Sequence, residues 1–314
     1  MRPFAFVFPG QGAQSVGMLD AWGDHPAVRE VLDEASQALG EDVGRLIHEG
    51  PKERLELTTN TQPAMLAAAI ACYRAWRAEG GAEPAAVAGH SLGEYSALVA
   101  AGALTLGDAL PLVRFRAQAM QEAVPVGAGA MAAILGLDAA AVIEGCTKAA
   151  AETGAVVSAA NFNDPKQTVI SGARAAVDRA CETLKGMGAK RALPLAVSAP
   201  FHCALMRPAA EALRARLATV TITAPRIPVI NNIDAAAPSD PQAVRDALFR
   251  QAFGPVRWVD VIRALGARGL RHVFECGPGK VLAGMTRRID AEAVSASVFD
   301  PASLRDALGL LVQP

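Results

Sequence analysis

The chain alternates short apolar runs with longer segments whose apolar residues recur every third or fourth position. Phe4-Ala5-Phe6-Val7-Phe8 holds no polar side chain and is closed by Pro9 and Gly10, which suits a strand covered on both faces. After a Gly-Gln-Gly loop, Met65, Leu66, Ala69, Ile70, Tyr73 and Trp76 form a helical stripe, with Thr61 placed to cap it and Pro63 in its first turn. AAVAGH at 85–90 reads as a strand and SLGEYSALVAAG as the helix after it, stopped at Gly102. Thr105 and Asp108 form a capping pair for a further helix ending near Gln121.

VPVGAG at 124–129 has the composition of a linker. Beyond it come a strand (AMAAILGL), a helix from Asp138 to Thr153 closed by Gly154, two strands (AVVSAANF and QTVISG), a helix over 173–187 and a strand in AKRALPLAV. That order, β-α-β-β-α-β, is the ferredoxin-like pattern. It predicts a small subdomain at 128–197 inserted into a large one made of 1–127 and 198–314. In the second part of the large subdomain Met206, Ala210, Leu213 and Leu217 mark a helix face, IPVINN and RHVFECG read as strands, and helical segments surround Ala247 and Val261. A helix near Gly279, an edge strand at ASVF and a helix over 302–311 complete the chain. Alternating strands and helices imply an α/β fold with a mainly parallel sheet.

Composition narrows the function classes. With 52% hydrophobic and 19% charged residues over 314 positions, the chain is globular. Thirty basic against thirty-one acidic residues leave no cationic excess for nucleic acid. No apolar run is long enough to span a bilayer, and Pro9 and Gly10 interrupt the N-terminal run too early for a secretory signal. The expected location is therefore cytoplasmic, without a membrane partner. The five cysteines are scattered, which predicts reduced, mostly buried thiols rather than a disulfide framework or a zinc site.

Gly89-His90-Ser91-Leu92-Gly93 carries the strongest chemical signal. A G-x-S-x-G between a strand and a helix is the context of a nucleophile elbow, with Ser91 raised at the carboxyl end of the sheet. The Leu92 amide, at the start of the helix, would donate to a developing oxyanion. A serine nucleophile needs a base, and five histidines are available. His25 and His48 lie in polar segments, His90 adjoins the nucleophile and supports the turn, and His272 begins a strand. His202, at the junction between the subdomains, is favoured over His272 because clefts form at junctions. The loop Pro9-Gly10-Gln11-Gly12 reads as a glycine turn with a solvated glutamine, or as the second half of an oxyanion hole. Arg114 and Arg116 fall on one helix, where an arginine is usually solvated; a buried one would mark an anionic substrate.

FPGQGAQ at 8–14, GHSLGEYSALVAAG at 89–102, RFRAQAMQEAVP at 114–125, SAPFHCALM at 198–206, VINNID at 229–234, RQAFGPVRW at 250–258 and ECGPGKVL at 275–282 together resemble the malonyl-CoA:acyl carrier protein transacylase family, nearly end to end. The resemblance implies an α/β-hydrolase-like large subdomain with a ferredoxin-like insert. It makes Ser91 the acylated nucleophile and His202 the base, oriented by the backbone carbonyl of Gln251 rather than by a carboxylate. It assigns Gln11 and the Leu92 amide to the oxyanion, Arg116 to the malonyl carboxylate, and substrate contacts to Asn161 and Asn163. Malonyl-CoA and acyl carrier protein become the partners, with fatty acid synthesis the expected pathway, and no metal or redox cofactor is implied, coenzyme A thioester being substrate. Three positions depart from the family's usual pattern. Ala117 follows Arg116 where glycine is common, Lys166 replaces a frequent glycine, and Phe201 stands where many members carry serine, which implies a pocket narrowed against branched acyl groups. Because the carrier is acidic, Lys185, Lys190, Arg191, Arg287 and Arg288 are candidates for a basic docking rim.

Two other readings share these residues. A serine thioesterase or other hydrolase would use the same elbow but would need an acidic triad member and a late histidine. A non-catalytic module that docks carrier protein would not need Ser91 and His202 together.

Overall fold

The structure, a computed structural model, describes residues 2–312. In chain order, β1 (Phe4–Phe8) leads into α1 (Pro26–Leu39), α2 (Val43–Glu49), α3 (Lys52–Leu55) and α4 (Thr58–Ala78). Then come β2 (Ala86–Gly89), α5 (Gly93–Ala100) and α6 (Leu106–Glu122). The middle of the chain holds β3 (Gly129–Leu135), α7 (Ala139–Thr153), β4 (Val157–Asp164), β5 (Gln167–Ala173), α8 (Arg174–Gly186) and β6 (Arg191–Pro194). It closes with α9 (Arg207–Leu217), β7 (Val229–Ile230), α10 (Pro241–Phe253), α11 (Trp258–Ala267), β8 (His272–Cys276), α12 (Val281–Ile289), β9 (Val294–Val298) and α13 (Pro301–Val312).

Two sheets result. The first is parallel throughout, in the order β7-β2-β1-β8-β9. Its central strand explains the unbroken apolar run at the N-terminus. Phe4, Phe6 and Phe8 enter a core shared with α1, α4 and α6, whereas Ala5 and Val7 face Val261, Leu265 and Leu282 of α11 and α12. The second sheet is antiparallel, in the order β4-β5-β3-β6, with its own core of Ile134, Val142, Ile170, Val177 and Leu184 beneath α7 and α8. The sheets are stitched where the Phe162 amide donates to the Val256 carbonyl (2.9 Å) and the Val256 amide to the Ala160 carbonyl (2.8 Å).

Most predicted elements are present, and the differences have local causes. α4 starts one turn earlier than Thr61, with Leu57 at its N-cap; the Thr61 hydroxyl instead donates back to the carbonyls of Leu55 and Leu57, so Pro63 lies inside the helix. The strand expected across IPVINN stops at Ile230, because Asn231 and Asn232 turn away to bond elsewhere. The final strand of the middle segment ends at Pro194, and residues 195–198 continue as an exposed strap. The helices α1 to α3 have no counterpart in the sequence reading. Cys72, Cys146, Cys203 and Cys276 are buried, Cys181 is half-buried, and all five are free thiols. Among the described residues no helix is long and apolar enough to cross a membrane.

Candidate active site

The register of the parallel sheet decides which histidine can meet Ser91. Phe4 pairs with His272 at one end of β1, and Phe8 pairs with Gly89 at the other. Ser91 follows β2 at the carboxyl end of the sheet, so His272, the first residue of β8, lies at the opposite, amino end. His25 is half-buried against Trp22 and reaches Glu79, and exposed His48 is bonded to Asp20. His202 is the one that arrives: its Nε2 lies 2.7 Å from Ser91 Oγ. Its Nδ1 lies 3.0 Å from the Gln251 carbonyl oxygen, which fixes Nδ1 as the protonated nitrogen and leaves Nε2 free to accept. Burial, with the Arg116 charge nearby, lowers the imidazole to about 3, so His202 is a neutral base in the physiological range.

The elbow's two glycines serve space rather than backbone freedom. A Cβ on Gly89 would stand 1.9 Å from the Gly93 carbonyl, and one on Gly93 would stand 2.1 Å from the Phe8 oxygen. The strain falls on the nucleophile itself, for Ser91 has φ +53°, in the left-handed region. Three polar residues hold it there. Asn232 accepts from the Ser91 amide through Oδ1 (2.7 Å) and donates through Nδ2 to the Gly89 carbonyl (2.7 Å). The Gln251 side chain donates to the Ser91 carbonyl (3.0 Å). Glu94, sealed from solvent, accepts from the Asn232 amide (2.9 Å) and from Gln251 Nε2 (3.0 Å). Burial raises the Glu94 carboxyl to about 7, with the Gln251 and Asn232 donors and Arg116 pulling it back.

Arg116 is buried, 1% exposed, and aimed at the nucleophile. Its Nη2 donates to Ser91 Oγ (3.2 Å) and to Gln251 Oε1 (3.1 Å), and its Nη1 to Gln62 Oε1 (2.7 Å). Among the described residues the Arg116 Nε has no hydrogen-bond partner. A guanidinium in that position, depressed below its usual range by burial, lacks a direct carboxylate partner and favours an anion entering from the cleft. Arg114, two positions earlier and so on the other side of the helix, is instead paired at the periphery with Glu41.

Gln11 stands beside the same cluster. It accepts from Gln62 Nε2 (3.2 Å) and donates to Thr58 Oγ1 (3.4 Å), so the glycine turn carries a side chain that is exposed yet anchored. The Leu92 amide donates to no acceptor among the described residues. Next to the elbow opens a cleft of about 230 Å³ between the two sheets, lined by Gln11, His90, Asn161, Asn163, Leu195 and Met285 among others. Asn163 Oδ1 lies 2.8 Å from His90 Nε2, and Asn161 takes part in the bridge to Val256. Phe201 is half-buried where the main core meets Met131, Ala133, Ala160 and Val169 of the second sheet. Among the described residues, no group of three or more His, Cys, Asp or Glu side chains is gathered as a metal ligand set.

Of the residues named from sequence, His202, Arg116 and Gln251 lie within hydrogen-bonding distance of Ser91, whereas Asn232, which also bonds it, and Gln62 and Glu94 around them were not named. Two of them left a trace: Gln62 opens an otherwise apolar helix face, and Glu94 is the one charge in the run from Ser91 to Gly102.

The acyl transferase domain model matches residues 5–294. The chain belongs to the malonyl-CoA:acyl carrier protein transacylase family. It is 51% identical to the malonyl CoA-acyl carrier protein transacylase of Escherichia coli K12 over 99% of this chain and all of that one. With the enzyme of the same name from Bacillus subtilis the identity is 45%, over 99% of this chain and 98% of that one. The crystal structure of an acyl-carrier-protein S-malonyltransferase from Burkholderia pseudomallei superposes with a TM-score of 0.96 at 64% identity, covering 98% of this chain and all of that one. A malonyl transacylase solved in complex with a type II polyketide acyl carrier protein superposes equally well, with a TM-score of 0.96 at 47% identity, covering 98% of this chain and all of that one. Membership in the transacylase family gives the serine–histidine pair and the buried guanidinium a common setting.

Proposed function

We propose that the protein transfers a malonyl group from malonyl-CoA to the phosphopantetheine thiol of an acyl carrier protein, through an ester on Ser91, in fatty acid synthesis. The observation that carries this reading is a buried Arg116, with no carboxylate bonded to it, 3.2 Å from a serine hydroxyl that also meets a neutral histidine at 2.7 Å. His202 Nε2 takes the Ser91 proton as Oγ attacks the thioester carbonyl, forming the C–O bond. The intermediate's oxyanion accepts from the Leu92 amide, with the Gln11 loop opposite. Its collapse breaks the C–S bond, and His202 returns the proton to the coenzyme A thiolate. The carrier thiol then gives its proton to His202 and attacks the ester carbonyl, forming the new C–S bond; collapse breaks the C–O bond to Ser91, and His202 returns the proton to Oγ. The Gln251 carbonyl stabilises the imidazolium formed in each half-reaction, in place of a triad carboxylate.

Arg116 holds the free carboxylate of the malonyl group, Phe201 narrows the acyl pocket, and Asn161 and Asn163 line the approach of the thioester arm. This route uses no metal or redox cofactor. We further divide the chain into an α/β-hydrolase-like large subdomain (1–127 and 198–314) and a ferredoxin-like small subdomain (128–197), the site lying at their junction in a cytoplasmic enzyme. The order β4-β5-β3-β6 supports the second label.

Mass spectrometry of the intact protein after exposure to malonyl-CoA alone tests the reading. A stable malonyl adduct should form, and it should be absent from Ser91→Ala. Continuous release of free malonate without an acceptor would make the protein a hydrolase, and no adduct at all would leave it a docking module.

A further inference from the structure

Glu94 is a buried acid for which the transfer reaction has no step. It lies in the first turn of α5, one turn beyond Ser91, and is 2% exposed among Gly93, Tyr95, Ala97 and Leu98. A carboxylate persists in such a place only when it is hydrogen-bonded or balanced by charge. Both of its bonds fall on one oxygen, from the Asn232 amide (2.9 Å) and from Gln251 Nε2 (3.0 Å). The other end of the same Gln251 amide, Oε1, accepts from Arg116 Nη2 at 3.1 Å. One primary amide is thus inserted between a carboxylate and a guanidinium, its acceptor turned to the cation and its donor to the anion. The polarity of the two ends fixes the orientation of the amide.

We propose that Glu94 is a positioning residue that serves as the resident counter-anion of Arg116, acting through the Gln251 side-chain amide, and so tunes how strongly the site prefers an acyl group ending in a carboxylate. This rests on the reading of Arg116 as the seat of the malonyl carboxylate. When Glu94 is ionised, part of the Arg116 charge is already balanced, and an arriving carboxylate must share one cation with a second anion in a dry pocket. When Glu94 is neutral, the whole guanidinium charge is available. An acetyl group, lacking a charge, is indifferent to the change.

Burial holds the Glu94 carboxyl at about 7, so both forms exist near neutrality. The other groups around it keep one state there. Arg116 on α6 remains a cation, and burial lifts the Tyr95 hydroxyl on α5 to about 12. Asp234, beyond β7, is held below the usual carboxylate range by its bond to Arg250. His202 on the return loop is lowered to about 3, and burial lowers His90 as well. The sign follows. As pH rises through about 7, Glu94 gains its charge and malonyl binding weakens; as pH falls, malonyl is favoured. The coenzyme A phosphates are common to malonyl-CoA and acetyl-CoA, and their ionisation cancels in the ratio of the two.

The test measures kcat/KM for acylation of Ser91 by malonyl-CoA and by acetyl-CoA between about pH 6 and about pH 8, in the native enzyme and in Glu94→Gln. In the native enzyme the malonyl-to-acetyl ratio should fall by about fivefold over that span, the part reached by about pH 8 of the tenfold that one pKa unit of coupling between two charges gives in full. In Glu94→Gln it should be flat, near the acid limit of the native enzyme, with the change residing in the malonyl KM rather than in kcat. A pH-independent native ratio, a slope that survives in Glu94→Gln, or a parallel loss of malonyl and acetyl transfer would overturn the proposal. Should Glu94→Gln fail to fold, the native profile alone decides. Arg116→Ala in the same assay separates the two layers: an unaltered ratio removes the seat of the carboxylate, whereas a collapsed ratio beside a pH-flat native enzyme removes only the role of Glu94.

Discussion

Ser91 and His202 both sit in left-handed backbone, at φ +53° and φ +60°, yet the regions that hold them are built differently. Ser91 is embedded in the parallel sheet, between β2 and a helix whose approach leaves no room for a Cβ on either flanking glycine. Its amide and carbonyl are each bonded to a buried side chain. His202 is reached along an exposed strap that leaves β6 and carries Leu195 and Val197 on its surface. That strap is tied down by Ser198 Oγ to Thr58 Oγ1 (2.9 Å), by Gln121 Nε2 to the Ser198 carbonyl (3.4 Å), and by Cys203 Sγ to the Pro200 carbonyl (3.2 Å). Strain of this kind costs about 1–3 kcal/mol at each residue and persists only where the surroundings over-determine it. The surroundings of Ser91 are one continuous network, and those of His202 span the joint between two sheets. Gln251 belongs to both, with its carbonyl on the imidazole and its side chain on the elbow and on Arg116. The chemistry is therefore anchored on one side, and its geometry is set across the joint.

The largest effect expected from the joint side is the loss of the base. His202→Ala should lower malonyl transfer by the ~10²–10⁴-fold typical of a general base. His272→Ala, at the amino end of the same sheet, should leave transfer unaltered. Steady-state transfer rates for the two variants check this, and a reversed order would mean that the 2.7 Å contact to Ser91 is not the catalytic one. Because the imidazole is held down to about 3, its protonation should not limit acetyl transfer between about pH 5 and about pH 8. An acid limb near pH 6.5 would show that His202 is far more exposed in solution than its burial implies.

On the elbow side, removing Arg116 tests specificity rather than activity alone. An unpaired buried carboxylate costs roughly 2–5 kcal/mol. At 1.4 kcal/mol per decade, Arg116→Ala should reduce malonyl transfer by about thirtyfold to several-thousandfold. Acetyl transfer should survive, because it makes no use of the charge. Competition between labelled malonyl-CoA and acetyl-CoA reads the ratio directly. A parallel fall in both would make Arg116 a support for Gln62 and Gln251 instead.

How much of this was legible beforehand depended on whether a residue's role lay in local pattern or in a long-range contact. The strand–turn–helix around Ser91 is written in consecutive residues, and β1 in an unbroken apolar run. The buried state of Arg116, by contrast, is set by Gln62 and Gln251, 54 and 135 positions away in sequence. The spacing from Leu112 and Val113 to Met120 does put Arg116 on the buried stripe of α6, but it does not tell what the guanidinium meets there, and its role came from resemblance. Asn232 was hidden for a related reason. IPVINN has the composition of a strand, but the turn at Asn231 is decided by the bond from Asn232 to Gly89, 143 positions earlier. α2 carries a short apolar stripe, Val43, Leu46 and Ile47, behind an Asp42 N-cap and before Gly50, and was overlooked although the sequence holds it, whereas α3 is a single turn too short for a stripe.

The smallest effects should come from the surface, and the joint decides where. Of the five basic residues expected on a docking rim, Lys190 and Arg288 line one hollow with Lys166, which sits at the turn between β4 and β5. Arg287 lines a different hollow, with Lys280, between α12, β9 and α13. Lys185 and Arg191 are exposed but line neither. The first hollow lies across the joint, since Lys166 and Lys190 come from the antiparallel sheet and Arg288 from α12. Asp164 already accepts from Arg288 Nε at 2.6 Å, so part of that charge is spoken for within the protein. Lys166 and Lys190 have no acidic partner among the described residues and are the freer cations. An acidic carrier docking over the cleft would meet them at the rim, where exposed pairs contribute little singly, ~0.2–1 kcal/mol each. Lys166→Glu combined with Lys190→Glu should therefore raise the apparent KM for carrier by about threefold to thirtyfold, a reversal costing somewhat more than a deletion. Formation of the malonyl ester from malonyl-CoA should proceed at the native rate. Raising the salt from low ionic strength to about 0.15 M, where the screening length is about 8 Å, should shrink the difference between variant and native enzyme. Equal carrier kinetics at low salt would move the docking surface away from this hollow, and Lys280→Glu with Arg287→Glu then tests the other one by the same measurement.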